Sequence, residues 1–118
     1  MSRAARSVLV FGIYLIAVGV GLVAIPNTVL GPLGFSASQE FWPRVVGVLA
    51  LCLAYYYIHA ARHELTAFFR WTVQVRAAVF VIFGALVLLK AAPPSLALLG
   101  AVDLLAAGWT ALALRASA

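Results

Sequence analysis

Four long apolar runs, Ser7–Ile25, Phe41–Ala61, Trp71–Leu89 and Ser95–Leu114, alternate with short segments that hold nearly all the charge of this chain. Each run is close to the ~20 residues a helix needs to cross a hydrocarbon layer ~30 Å thick. In lipid the backbone must be satisfied within the segment, so runs of this length predict helices. The connections are short, which makes neighbouring helices antiparallel. The expected fold is all-α: a polytopic membrane protein with one transmembrane domain over residues 1–118 and four transmembrane helices, near 7–25, 41–61, 71–89 and 95–114, in an up-down bundle.

The breaks between runs carry recognisable signals. Pro26-Asn27 ends the first helix. The connection that follows, to Glu40, is apolar for a loop, with Val29, Leu30, Leu33 and Phe35 among Gly31, Pro32 and Gly34, and is expected in the membrane interface or dipping over a cavity mouth. Ser36-Ala-Ser-Gln39 has the spacing of a capping box. Pro43 follows where a first-turn proline is tolerated. Trp42 and Trp71 suit the headgroup level. Pro93-Pro94 forbids continuation of the third helix and forces a tight turn into the fourth. On the first helix, Ala17 and Gly21 form a small-xxx-small pair of the kind that lets membrane helices approach closely.

Composition narrows the class. The chain is 66% hydrophobic and 9% charged, with a mean hydropathy of +1.13; a soluble domain keeps roughly 25% charged residues. The partner it demands is the lipid bilayer. A net charge of +5 could suggest nucleic acid, but the cations flank apolar runs and form no continuous basic face, so they read as topology determinants and headgroup anchors. Arg3, Arg6, Arg62, Arg70 and Arg115 fall on one side, with Arg76 just inside it, and only Arg44 and Lys90 fall towards the other. The positive-inside rule puts both termini in the cytoplasm. The apolar run after Arg6 is too long for a signal peptide's core and lacks a small-residue cleavage site, which predicts an uncleaved first helix. Seven arginines against one lysine, with abundant alanine, resemble GC-rich bacterial coding and point to a bacterial inner membrane. The lone Cys52 reads as core packing.

Candidate chemistry is confined to a few polar groups. An ionisable side chain inside a membrane helix costs ~2.5–3.5 kcal/mol or more, so it faces the interior and a partner. Asp103 is the acid so placed, roughly 12 Å deep at 1.5 Å per residue. Arg44 and Arg76 each differ from it in depth by roughly 7–10 Å on the same rise, and either could pair with it. Glu40, four residues before Arg44, competes for that arginine. Arg44, Val48, Leu51, Tyr55 and Arg62 fall in one stripe of the second helix with His59 beside them, and Tyr14 could meet the stripe from the first helix. Tyr55-Tyr56-Tyr57 cannot all face one side; Tyr56 and Tyr57 read as interfacial belt, and Tyr55 as belt or lining. His59 and His63 stand four apart but lack a convincing third ligand, so no metal or other cofactor is expected. No Ser/His/Asp set, paired carboxylates or phosphate-binding loop occurs, and no enzyme activity is expected. The spacing from Gly47 to Arg62 recurs from Gly100 to Arg115, with Leu51/Leu104, Ala54/Ala107 and Ala60/Ala113 coinciding. That could mark a duplicated hairpin or chance in Ala/Leu-rich sequence.

The Arg44-Val-Val-Gly47 step, the connection after Pro26-Asn27 and Arg76 entering the third helix give the chain a resemblance to small four-helix bacterial membrane proteins of the DoxX-like type. The resemblance implies a fold more than an activity, and Asp103 maps onto no motif of that family. The expected function is that of an integral membrane protein with a polar core of Asp103, Arg76, Arg44, Tyr55, His59 and Tyr14, binding or helping move a small molecule, lipid or proton as a homo-oligomer. The alternative is an accessory subunit of a larger membrane complex, docked through small residues at Gly12, Gly19, Gly100 and Ala107.

Overall fold

The computed structural model describes residues 1–35 and 41–117. It consists of α1 (Arg3–Ala24), a short α2 (Pro26–Leu30) continued by a 3₁₀ turn (Gly31–Leu33), α3 (Trp42–Arg62), α4 (Thr66–Leu88) and α5 (Ser95–Ser117). Apart from α2, each helix is long and apolar enough to cross a membrane. At 1.5 Å per residue the four long helices measure roughly 32–35 Å, and the 46 Å long axis of the molecule reaches into the headgroup regions that bring a bilayer to ~40–45 Å. The all-α four-span bundle expected from the apolar runs is what forms.

Two helices begin earlier than hydropathy indicates. α1 starts at Arg3 because Ser2 caps it, its Oγ accepting from the Ala5 amide at 3.0 Å. α4 starts at Thr66, so Trp71 lies inside its second turn. Each extension reaches back past an arginine, Arg6 or Arg70, at which an apolar run stops but a helix need not. The connection after α1 is helical in part and folds back onto it. A Cβ on Gly21 would meet the Val29 side chain at 2.8 Å. Gly21 therefore packs this connection, while Ala17 is exposed; the small pair predicted on α1 is not its seam. The Ser36–Gln39 capping box and the Glu40–Arg44 pairing lie outside the described residues.

The seam between α1 and α3 is the most extensive in the bundle. It is built on Gly12 and Gly19 of α1 against Gly47, Ala54 and Ala61 of α3, spaced by sevens. A Cβ on Gly47 would stand 2.8 Å from the Gly19 carbonyl oxygen, and one on Gly19 would stand 2.9 Å from that of Gly47. Small residues here allow backbone contact where lipid provides no hydrophobic drive for association. α4 packs mainly on α5, and α1 also contacts α5. At Gly100 of α5 a Cβ would meet Phe80 Cα of α4 at 3.3 Å. The bundle is thus two hairpin-like pairs, α1/α3 and α4/α5, joined through α1 and α5. Positions related by the sequence spacing do similar work in both: Ala54 and Ala107, and Ala60 and Ala113, are all buried.

Two turns are closed by charged residues in the left-handed region, Glu64 (φ 52°) and Lys90 (φ 59°). Each ends its helix with a pair of amide bonds to the last turn: Leu65 to Ala60 and Glu64 to Ala61, then Ala91 to Leu86 and Lys90 to Val87. Glycine favours this position. Glu64 has a compensating role, because its carboxylate accepts from the Ser2 amide at 2.6 Å and the Ser2 hydroxyl at 2.7 Å, clasping the α3–α4 turn to the start of α1. These bonds hold the Glu64 carboxyl below its ordinary value.

Two expectations follow. Gly47→Ala places a methyl against backbone that cannot give way and should destabilise the protein by about 1–3 kcal/mol in detergent unfolding, whereas Gly108→Ala, with nothing within 4 Å, should not. Because Glu64 is more acidic folded than unfolded, its contribution is complete above the ordinary carboxylate range and is lost as pH falls through its depressed value. Hydrogen-exchange protection at the Ala5 amide should fall over that window, and Glu64→Gln should remove the pH dependence.

Candidate functional site

The polar centre of the bundle is Arg76 on α4, 2% exposed. Its guanidinium curls back along its own helix. Nε donates to the Thr72 carbonyl at 3.2 Å and Nη2 donates to Thr72 Oγ1 at 3.0 Å. Nη2 also donates across to Thr110 Oγ1 of α5 at 3.0 Å. Thr110 Oγ1 lies 2.7 Å from Ser7 Oγ of α1, and Ser7 Oγ donates to the Ala4 carbonyl at 2.7 Å.

Each hydroxyl has one proton, so the direction of the chain can be assigned. The Ser7 proton goes to Ala4. The Thr110 proton therefore goes to Ser7, the shorter of its options, since its other acceptor, the Ala106 carbonyl, is at 3.2 Å. The Thr72 hydroxyl donates to the Phe69 carbonyl at 2.7 Å. Two branches thus run from the cation through hydroxyls to backbone carbonyls, and each bond polarises the next.

Rings cover what the hydroxyls do not. Arg76 Cζ stands 4.8 Å from the Phe11 ring centre on α1 and 5.9 Å from that of Tyr57 on α3. The two rings are 5.5 Å apart, and Tyr14 lies 5.4 Å from Phe11. A cation over an aromatic face gains roughly 0.5–2 kcal/mol. The helices that deliver these groups are the four that can span a membrane, so one side chain ties the bundle together.

The accounting at Arg76 does not close. Of its five N–H donors, those on Nη1 are buried and have no partner. Asp103, half-buried on α5, makes no hydrogen bond and no ion pair within 4 Å among the described residues. Its charge nevertheless reaches Arg76, Tyr57 and Tyr14. Helix geometry explains the open pair. Side chains tilt towards the N-terminus of their own helix; α4 and α5 are antiparallel, so Arg76 leans towards the basic end and Asp103 away from it.

Of the residues expected at the site, Arg76 forms the centre, Tyr14 packs on the Phe11 ring that covers it, and Asp103 is half-buried on α5 out of bonding reach. Arg44 does not join them: it is exposed and donates to the Val23 carbonyl at the end of α1. Tyr55 and His59 are also exposed, with their rings 4.2 Å apart on the outer face of α3. The stripe read as a lining faces outwards, because the Gly47–Ala54–Ala61 seam fixes which side of α3 turns inwards. That seam brings in Tyr57, which the sequence reading assigned to the belt. Cys52, expected in the core, is exposed. The small residues proposed as an external docking face, Gly12, Gly19, Gly100 and Ala107, are buried within this chain. Ser7, Thr72, Thr110 and Phe11 escaped the reading; the available signals were Thr72 one turn before Arg76, and Thr110 two turns beyond Asp103 on the same face.

Fold and core together define the chain as a four-span α-helical bundle with a cation-centred polar interior. No family model, curated protein or solved structure matches it.

Thr110→Val removes the hydroxyl that accepts from Arg76 and donates to Ser7 and should cost about 1–3 kcal/mol in detergent unfolding. Ser7→Ala should cost less once Thr110 is already Val, giving a coupling of roughly 0.5–3 kcal/mol in a double-mutant cycle.

Proposed function

We propose that this chain is a non-enzymatic, multi-pass protein of a bacterial inner membrane that carries protons, on water, through the gap between Arg76 and Asp103. The observation that supports the reading is the open pair: a buried guanidinium nitrogen with unused donors and a carboxylate with no partner, within reach of one another's charge. Both groups call for a third body that accepts from Nη1 and can donate to the carboxylate. Water does both. Intramembrane acids commonly mark proton paths, and Tyr14 and Tyr57 add hydroxyls to the same neighbourhood.

In this reading both termini are cytoplasmic, because Arg3, Arg6, Arg62, Arg70 and Arg115 share the end that carries them. The DoxX-like resemblance is one of architecture: Arg44-Val-Val-Gly47 opens α3, and Arg76 lies inside α4. A chain of this size acts as a homo-oligomer or within a larger complex.

The test is proton flux into liposomes that hold the purified protein and a trapped pH dye, driven by a potassium diffusion potential. Wild type should acidify the lumen several-fold faster than empty liposomes, and Asp103→Asn should return the rate to background. Wild type at background, or Asp103→Asn at the wild-type rate with an intact fold, would overturn the reading.

A further inference from the structure

At the basic end, a groove of about 330 Å³ runs between the first turns of α1 and the last turns of α5, lined by Arg3, Arg6, Trp109, Leu112, Ala113 and Ala116. We propose that it seats an anionic phospholipid, its phosphate between the two arginines and an acyl chain along the α5 wall.

The chemistry of the lining is one-sided. Arg3 and Arg6 stand three residues apart on one face of α1, at the surface, and their guanidinium groups form no hydrogen bond or ion pair among the described residues. The Trp109 indole contributes only a donor. No lining residue carries negative charge. Glu64, the acid on this end, is already held by Ser2. A site made of donors and cations selects an anion, and paired guanidinium groups suit phosphate in particular.

Depth selects a lipid over a free ion. Trp109 is eight residues from the end of α5, roughly 12 Å along the axis. The groove therefore begins at headgroup level and descends to hydrocarbon. Below Ala116 its wall is Ala113 and Leu112, and the short side chain of Ala113 leaves room for a chain.

A second groove, of about 390 Å³, lies on the other flank of α5 and repeats the pattern with Arg70, Arg115 and Gln74 above Val73, Ala111 and Leu114. The cations at this end thus do more than orient the protein: four of them frame two lipid-shaped recesses around one helix.

The experiment uses the full chain with Trp42→Phe and Trp71→Phe, leaving Trp109 as the fluorophore. It is reconstituted into phosphatidylcholine carrying small fractions of phosphatidylglycerol with brominated chains. Quenching of Trp109 should exceed that by brominated phosphatidylcholine at equal fraction, and Arg3→Ala/Arg6→Ala should weaken the preference roughly 30-fold, at about fivefold per arginine. Arg62→Ala, outside the groove, should leave it nearly intact. Equal quenching by the two lipids, an unchanged preference in the double variant, or full reversal by inorganic phosphate or glycerol phosphate would overturn the proposal. Should the double variant misfold, native mass spectrometry of the unmutated chain from mixed lipid decides: retained phosphatidylglycerol supports the site, and equal retention of the two lipids overturns it.

Discussion

A guanidinium inside a membrane bundle has to be satisfied by protein, and the packing of this chain is organised around doing so for Arg76. The cost of an arginine at membrane depth, ~2.5–3.5 kcal/mol or more, is offset by no counter-charge at bonding distance among the described residues. Neutral groups do the work instead: the Thr72 carbonyl and hydroxyl, the Thr110 hydroxyl and two aromatic faces. Charge-assisted bonds contribute about 1.5–3 kcal/mol each, so three of them with two ring contacts are of the right size to hold the cation. Because the acceptors and rings come from four helices, no pair of helices supplies all the groups that hold Arg76. The cation is a registry device for the whole bundle, a use of buried charge that has precedent.

The glycine seam makes this possible. Phe11 and Tyr57 can cover Arg76 together only if α1 and α3 come within backbone contact, which Gly19 and Gly47 permit. The same seam decides the orientation of α3. Once Gly47, Ala54 and Ala61 face α1, Tyr57 must point inwards and Tyr55, Tyr56 and His59 must point out. Polarity is a poor guide to the inward face near a membrane surface, because tyrosine, histidine and arginine are stable outwards at headgroup level. Side-chain size is the better guide, since close approach has no substitute.

This explains which parts of the molecule the sequence made legible. Helix number and approximate span could be read because hydrocarbon thickness imposes a length on apolar runs. The starts of α1 and α4 could not, since Arg3–Arg6 and Thr66–Arg70 carry the helices past the arginines at which the apolar runs stop. Asp103 and Arg76 stood out because charge is rare in such runs. Their hydroxyl partners did not, because Ser7, Thr72 and Thr110 look like ordinary membrane-helix residues that bond their own preceding turn. Arg44 was misplaced for a related reason: depth alone made it a candidate, whereas its partner is the Val23 carbonyl in the last turn of α1, one of the acceptors a helix terminus leaves open.

The relation between Arg76 and Asp103 turns on direction and not only on depth. By rise per residue alone, a long side chain covers most of the interval between them. Antiparallel helices tilt their side chains apart, and Arg76 finds Thr72 one turn behind it before it can reach forward. The hydroxyl network therefore occupies the half of the bundle nearer the basic end, and Asp103 stands about two turns, roughly 10 Å, further along α5 from Thr110. Polar groups are strung along the bundle axis in sequence: Ser7 and Thr110, Arg76, then Asp103 with Tyr14 beside it. A closed ion pair would have ended that series at a single depth. An open one leaves the interior polar over a longer stretch of the bundle axis while keeping Arg76 bonded, the arrangement on which the proposed proton path depends.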